Sequence, residues 1–110
     1  MNIEPKEKLL KIINHYGVIP QLKYFQSEVF ELNEAIINRE LKSTVEYEIP
    51  LTEIIGAKDH IVEEIADVMV MLEQFKLYYG ISSEEIINIF WSKVDRQINR
   101  IENDSNNKNS

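Results

Sequence analysis

The sequence feature that most limits the fold is a pair of carboxylates inside an apolar segment. Residues 60–72 read His-Ile-Val-Glu-Glu-Ile-Ala-Asp-Val-Met-Val-Met-Leu, with Asp67 the one polar residue after position 64. In an α-helix, Glu64 and Asp67 share one face with three apolar residues, Ile61, Val68 and Met71. Such a face turns inward, where an unpaired carboxylate is costly unless a cation or a basic group lies beside it. The segment therefore predicts a buried helix that contributes half of a metal site.

A second segment repeats this arrangement. Glu28 and Glu31 are also three residues apart, on a helical face with three apolar residues, Phe25, Leu32 and Ala35. Gln21 lies on the same stripe two turns earlier, and Glu34 lies at the edge of the face. This second pair is thus predicted to lie within an apolar side of its helix.

Two such helices packed antiparallel bring four carboxylates together. Four hard oxygen ligands without His or Cys suit Mg²⁺, with Mn²⁺ as an alternative, and do not suit zinc. We therefore predict a metal site formed by Glu28, Glu31, Glu64 and Asp67. The alternative from the same residues is a buried ion network in which Lys93 or Arg96 neutralises the acids.

The remaining pattern predicts an all-α, four-helix-bundle-like fold in which two long central antiparallel helices carry the acidic pairs. Three Gly and three Pro among 110 residues argue against a turn-rich β fold. We expect one domain over residues 1–102, a disordered polar tail at 103–110, and an ordered loop or short arm over 42–57, with a strand-like pattern at 45–49. The predicted helices run from about Pro5 to His15, Pro20 to Leu41, Lys58 to Tyr79 and Ser83 to Glu102.

The last predicted helix carries basic residues on one side. Lys93, Arg96 and Arg100 are spaced three and four residues apart, on a side that overlaps the face of Ile86 and Ile89. Cations near a helix C-terminus are stabilising in any case, but beside a four-carboxylate site they become candidates to bind phosphate oxygens. The formal net charge of −7 argues against nonspecific nucleic-acid binding and makes such local cations necessary for a phosphate-bearing substrate.

The chain carries no feature that places it outside the cytoplasm. It has no cysteine, its first residues lack the basic and apolar regions of a signal peptide, and no apolar run is long enough to cross a bilayer. We expect a cytoplasmic protein without membrane contact.

With both acidic pairs in order, the sequence resembles the MazG-like all-α nucleoside triphosphate pyrophosphohydrolases, whose pattern is ExxE on one helix and ExxD on the next. Residues 27–36, Ser-Glu-Val-Phe-Glu-Leu-Asn-Glu-Ala-Ile, are similar to the first motif, and residues 63–68, Glu-Glu-Ile-Ala-Asp-Val, to the second. Lys93, Arg96, Asn99 and Arg100 loosely fit the later basic and amide residues. The resemblance covers about residues 16–101. It departs from the family at Ser27, where a paired Glu is common.

The resemblance implies Mg²⁺-dependent hydrolysis of a nucleoside triphosphate to monophosphate and pyrophosphate, with cleansing of the nucleotide pool as a role. It implies Glu28, Glu31, Glu64, Asp67 and Lys93 as catalytic residues, and Gln21, Glu34, Lys93, Arg96 and Arg100 as substrate-binding residues. Glu31 or Glu34 then aligns the attacking water. It also implies a homodimer or homotetramer. Two alternatives stay open, namely a phosphoribosyl-ATP pyrophosphohydrolase-like enzyme and a non-catalytic helical interaction protein.

Overall fold

The computed structural model describes residues 5–43 and 51–108, and these residues form helices with no strand. The four helices are α1 (Pro5–Tyr16), α2 (Val18–Ser43), α3 (Leu51–Tyr78) and α4 (Ser83–Lys108). The all-α prediction is therefore confirmed. The strand-like pattern predicted at 45–49 lies outside the described residues.

Two glycines separate consecutive helices. Gly17 has φ +93° and Gly80 has φ +67°, a left-handed conformation that side chains with a Cβ rarely adopt. The Gly17 amide still donates to the Ile13 carbonyl at 2.8 Å, so α1 ends in a closed turn and α2 follows at once. The predicted ends of α1 and α3 are correct to within one residue.

Helix α3 begins at Leu51, seven residues before its predicted start, so residues 51–57 are helical rather than loop. The inward stripe explains the difference, because Ile54, Ala57 and Ile61 are each half-buried at helical spacing. Their packing outweighs the helix-interior cost of Gly56, which is about 1 kcal/mol.

Helices α2 and α3 are antiparallel and form the main contact of the first unit, with α1 packed against both. Gln21 near the start of α2 meets Gln74 near the end of α3, and the Phe25 and Phe75 rings lie edge to face at 5.7 Å between centroids. Ile13 of α1 is fully buried. The predicted inward stripe of α2 is confirmed, since three of its members are buried, Gln21, Glu28 and Ala35.

The internal contacts divide the chain after Tyr79 into two compact units. In the second unit, α4 begins with a capping box: the Glu85 amide donates to the Ser82 hydroxyl at 3.1 Å, and the Ser82 amide donates to the Glu85 carboxylate at 2.7 Å. The helix continues to Lys108, six residues beyond its predicted end, in a segment without Gly or Pro to stop it. Within the described ranges, no helix has the length and apolar character needed to cross a membrane.

Candidate metal centre

Three carboxylates from two helices meet at the α2–α3 contact. Glu28 comes from α2, and Glu64 and Asp67 come from α3, with one oxygen of each lying within 4.8 Å of the others. We call these three residues the acidic cluster. Glu28 and Glu64 are 4% and 7% exposed, whereas Asp67 is exposed at the rim. The prediction that both acidic pairs face inward is therefore right for Glu28 and Glu64 and wrong for Glu31 and Asp67, which are exposed.

Two oxygens of the acidic cluster are buried without a hydrogen-bond partner, Oε2 of Glu28 and Oε2 of Glu64. A carboxylate taken out of water without a donor carries a large desolvation cost. Among the described residues, the basic side chain that reaches the cluster is His60, whose Nε2 lies 3.9 Å from Oε1 of Glu64 and whose side chain is exposed. The cluster thus has more acceptor capacity than its protein surroundings satisfy.

The electrostatics of the cluster follow from this excess. Burial is the largest cause that raises the pKa of Glu28, and the charges of Asp67, Glu31 and Glu64 raise it further. A hydrogen bond with the Tyr24 hydroxyl acts in the opposite direction and lowers the pKa of Glu28. The same hydrogen bond raises the pKa of Tyr24, since it stabilises the protonated phenol.

Glu64 behaves in the same way. Burial is the largest cause that raises its pKa, followed by the charge of Glu31, while the nearby His60 lowers it. Both buried carboxylates are therefore held in a site that favours either a proton or a cation beside them. The donor set is all oxygen, which fits the hard cations Mg²⁺ and Mn²⁺.

Glu31 stands outside the group of three. Its side chain is exposed, and its charge is one of the causes that raise the pKa of Glu64. Its role as a fourth ligand stays a prediction. Glu34, predicted at the edge of the face, is also exposed and does not belong to the acidic cluster.

Gln21, which was predicted to bind substrate, lies seven residues before Glu28 on α2, or about two helical turns from the acidic cluster. It is 7% exposed, and its Nε2 donates to Oε1 of Gln74 at 2.8 Å. Both glutamines line a cavity of about 570 Å³ between α1, α2 and α3, together with Ile12, Tyr16, Tyr24 and Asp67. The cavity and the acidic cluster therefore share Asp67.

The predicted phosphate-binding residues Lys93, Arg96 and Arg100 belong to α4 in the second unit, and all three are exposed. Lys93 lines a surface groove of about 470 Å³ together with Ile86 and Ile89. These are the two apolar residues whose helical face it was predicted to share. Their contact with substrate stays a prediction.

Sequence reasoning missed three side chains at this site, namely Tyr24, His60 and Gln74. Tyr24 precedes Glu28 by four residues and His60 precedes Glu64 by four, so helical spacing alone placed each beside a cluster carboxylate. Gln74 follows Met71 by three residues on the inward face of α3. Its partner on α2 depends on the register of the two helices, for which the sequence carries no separate signal.

No protein-family model matches this chain, and neither a curated protein nor a solved structure matches it.

Proposed function

We propose that the chain is a Mg²⁺-dependent nucleoside triphosphate pyrophosphohydrolase that converts a (deoxy)nucleoside triphosphate and water into the monophosphate and pyrophosphate. The observation that carries the proposal is the acidic cluster, where three carboxylates lie within 4.8 Å and two of their oxygens are buried without partners. An ion network closed within the protein leaves no such oxygens, so the arrangement favours a bound cation over the structural alternative.

Glu28, Glu64 and Asp67 would hold the cation, with Glu31 next to them. When bound, the cation neutralises the carboxylates and polarises the phosphate oxygens of the substrate. In the reaction, the oxygen of water adds to one phosphorus of the α–β anhydride, and the bridging oxygen leaves with the other phosphoryl group.

The proton released by the attacking water needs an acceptor near the cluster but open to solvent. Glu31 fits this role better than Glu34, because its charge acts on the buried Glu64 while its side chain stays exposed. We assign the alignment of the water to Glu31 on this ground. Lys93, Arg96 and Arg100 would offset the negative charge of the triphosphate, which a chain of net charge −7 otherwise repels.

The proposal includes assembly as a homodimer or homotetramer. Several large apolar side chains of the first unit are exposed, among them Phe30 on α2 at 63% and Met69 on α3 at 58%. Burial of such surface against a second copy is stabilising. Light scattering at micromolar protein is expected to give a multiple of 13.0 kDa, and the mass of one chain contradicts the assembly.

The function is tested by incubating the protein with each of the common nucleoside triphosphates and phosphoribosyl-ATP in Mg²⁺, and separating the products by chromatography. Monophosphate plus pyrophosphate is the expected result, and addition of EDTA is expected to abolish it. Release of orthophosphate, or no turnover of any substrate, contradicts the proposal. In parallel, Mg²⁺ or Mn²⁺ should raise the unfolding temperature, because the ions bind the folded state preferentially.

A further inference from the structure

The two oxygens of the Glu64 carboxylate have different surroundings. Oε2 is buried without a hydrogen-bond partner, whereas Oε1 lies 3.9 Å from Nε2 of His60. Helical geometry accounts for this contact, because the side chains of an α-helix lean toward its N-terminus and Glu64 therefore lies over the turn that carries His60. One oxygen of the carboxylate thus faces an imidazole, and the other is buried at the α2–α3 contact.

The separation of His60 and Glu64 is about 1 Å longer than the usual N–H···O hydrogen bond. The His60 side chain is 56% exposed and has room to rotate, whereas the Glu64 side chain is 9% exposed and is held in place. Functional hydrogen bonds are often long in structures without a bound ligand and shorten when the ligand binds. Rotation of the imidazole alone is therefore enough to bring the Nε2–H group within hydrogen-bond distance of Oε1.

Such a hydrogen bond has a consequence for cation binding. Carboxylates that bind a metal ion through one oxygen are themselves commonly hydrogen-bonded, and this partner orients the carboxylate. The acids near Glu64, among them Glu31 and Asp67, contribute only negative charge and raise its pKa, whereas His60 lowers it. An N–H donor on Oε1 leaves Oε2 as the oxygen that is available to an ion.

We propose that His60 is a positioning residue of the metal centre, whose Nε2–H group donates to Oε1 of Glu64 and so presents Oε2 to a divalent cation. The inference rests on the proposed function for the presence of the cation, but it does not require hydrolysis of a nucleotide. His60 itself does not bind the ion, in keeping with its place outside the acidic cluster. It also precedes residues 63–68, the segment that resembles the second acidic motif, so its role follows from its contact with Glu64.

The test measures metal affinity in the full chain without any nucleotide. Mn²⁺ is added to wild type and to His60→Ala at pH 8, where imidazole is ordinarily neutral, and the free ion is measured by its EPR signal. Loss of the donor is expected to weaken Mn²⁺ binding by about tenfold or more, the scale for groups that orient metal ligands. His60→Gln keeps an N–H donor one turn before Glu64 and should restore most of the affinity. His15→Ala, which removes the other histidine of the chain at an exposed position of α1, is the control and should bind as wild type does.

The outcomes separate this inference from the enzyme. Weaker binding in His60→Ala and recovery in His60→Gln support the inference even if no triphosphate is hydrolysed. Equal or tighter binding in His60→Ala overturns it even if triphosphates are hydrolysed, since tighter binding is the effect of removing a mere positive charge. No Mn²⁺ binding in wild type, or no recovery in His60→Gln with its helical spectrum intact, also overturns it.

A further measurement distinguishes positioning from direct coordination. Wild type labelled with ¹⁵N at histidine is loaded with Mn²⁺, and the coupling between the ion and nitrogen is recorded by pulsed EPR. We expect no coupling of the strength of a directly bound nitrogen. Such a coupling in wild type that disappears in His60→Ala would make His60 a metal ligand and overturn its role as a positioning residue.

Discussion

Two polar contacts lie where α2 meets α3. They differ in whether the two buried side chains hydrogen-bond to each other. The amide pair joins Gln21 to Gln74 by a hydrogen bond of 2.8 Å. In the acidic cluster, seven residues or about 10 Å further along α2, Glu28 and Glu64 each bury an oxygen without a partner. All four side chains are less than 8% exposed, so burial does not distinguish the two contacts.

The chemistry of the side chains explains the difference. A carboxamide carries both donors and an acceptor, so one can donate to the other, whereas ionised carboxylates only accept. Two buried carboxylates therefore need a third species between them, which is a proton or a cation. The amide pair is held by its own hydrogen bond, whereas the acidic cluster requires a bound proton or cation. The following experiments test this distinction, from the largest expected effect to the smallest.

Removal of one charge from the acidic cluster should have the largest effect. Asp67→Asn keeps the size of the side chain but weakens the affinity for a divalent cation, and we expect turnover to fall by about a thousandfold. Steady-state hydrolysis at saturating Mg²⁺ measures the loss, and thermal unfolding should show that the metal no longer raises the unfolding temperature. Lys23→Ala, an exposed position of α2, is the control and should behave as wild type. Unchanged turnover in Asp67→Asn removes the cluster from the reaction.

Loss of the predicted phosphate ligand should be the next largest effect. Lys93→Ala is expected to lower turnover by about a hundredfold, the scale for removal of one preorganised electrostatic donor. The rise of the unfolding temperature with Mg²⁺ should remain, because the substitution leaves every carboxylate of the acidic cluster in place. Trp91→Phe, at an exposed position on another side of α4, is a matched control in the same helix. Turnover of Lys93→Ala near wild type would mean that the basic residues of α4 act only on helix stability.

The amide pair and the acidic cluster should respond to substitution with opposite signs when no metal is present. Gln74→Leu keeps the volume but leaves the buried Gln21 amide unpaired, and we expect the free energy of unfolding to fall by about 1–3 kcal/mol. Glu28→Gln replaces a buried charge with an amide that can donate to Glu64 or Asp67, so the free energy of unfolding should rise. Urea denaturation in EDTA measures both. Two changes of the same sign would refute the distinction between the contacts.

The contrast between the contacts also shows what the sequence could predict. The helical period correctly placed Gln21, Glu28 and Glu64 on inward faces, because apolar residues at the same spacing marked those faces. It did not separate Asp67 and Glu31, at the exposed rim, from their buried partners, since that depends on how each helix is rotated against the other.

Pairing between helices was harder still to predict. Gln74 is a residue type that is usually exposed, and only the register of α2 against α3 gives it a buried partner. The early start of α3 was missed for a related reason. The strand-like pattern at 45–49 favoured a loop or short arm up to residue 57, but the tertiary packing of Ile54 and Ala57 favours the helix. The acidic pairs were visible because charge inside an apolar stripe is rare, whereas the amide pair carries no such local signal.

The smallest expected effect is the pH dependence of stability without metal. The pKa values of Glu28 and Glu64 are raised in the folded state above the ordinary value of 4.5, so the folded protein takes up protons at a higher pH than the unfolded chain. The stability from this uptake is fully present below pH 4.5 and is lost as the pH rises through the folded pKa values. In EDTA, the free energy of unfolding should therefore increase as the pH falls from 7 toward 4.5.

The trend is specific to the acidic cluster and can be separated from other groups. Glu85 has its pKa lowered by the Ser82 hydrogen bonds, so its contribution is lost as the pH falls below 4.5, outside this window. Glu28→Gln should reduce the slope between pH 7 and 4.5, whereas Gln74→Leu should shift the whole curve downward without changing the slope. Saturating Mg²⁺ should reverse the trend, because protons then compete with the cation for the same oxygens. A slope that is equal in wild type and Glu28→Gln would show that the buried carboxylate is compensated by a group other than a proton or a metal ion.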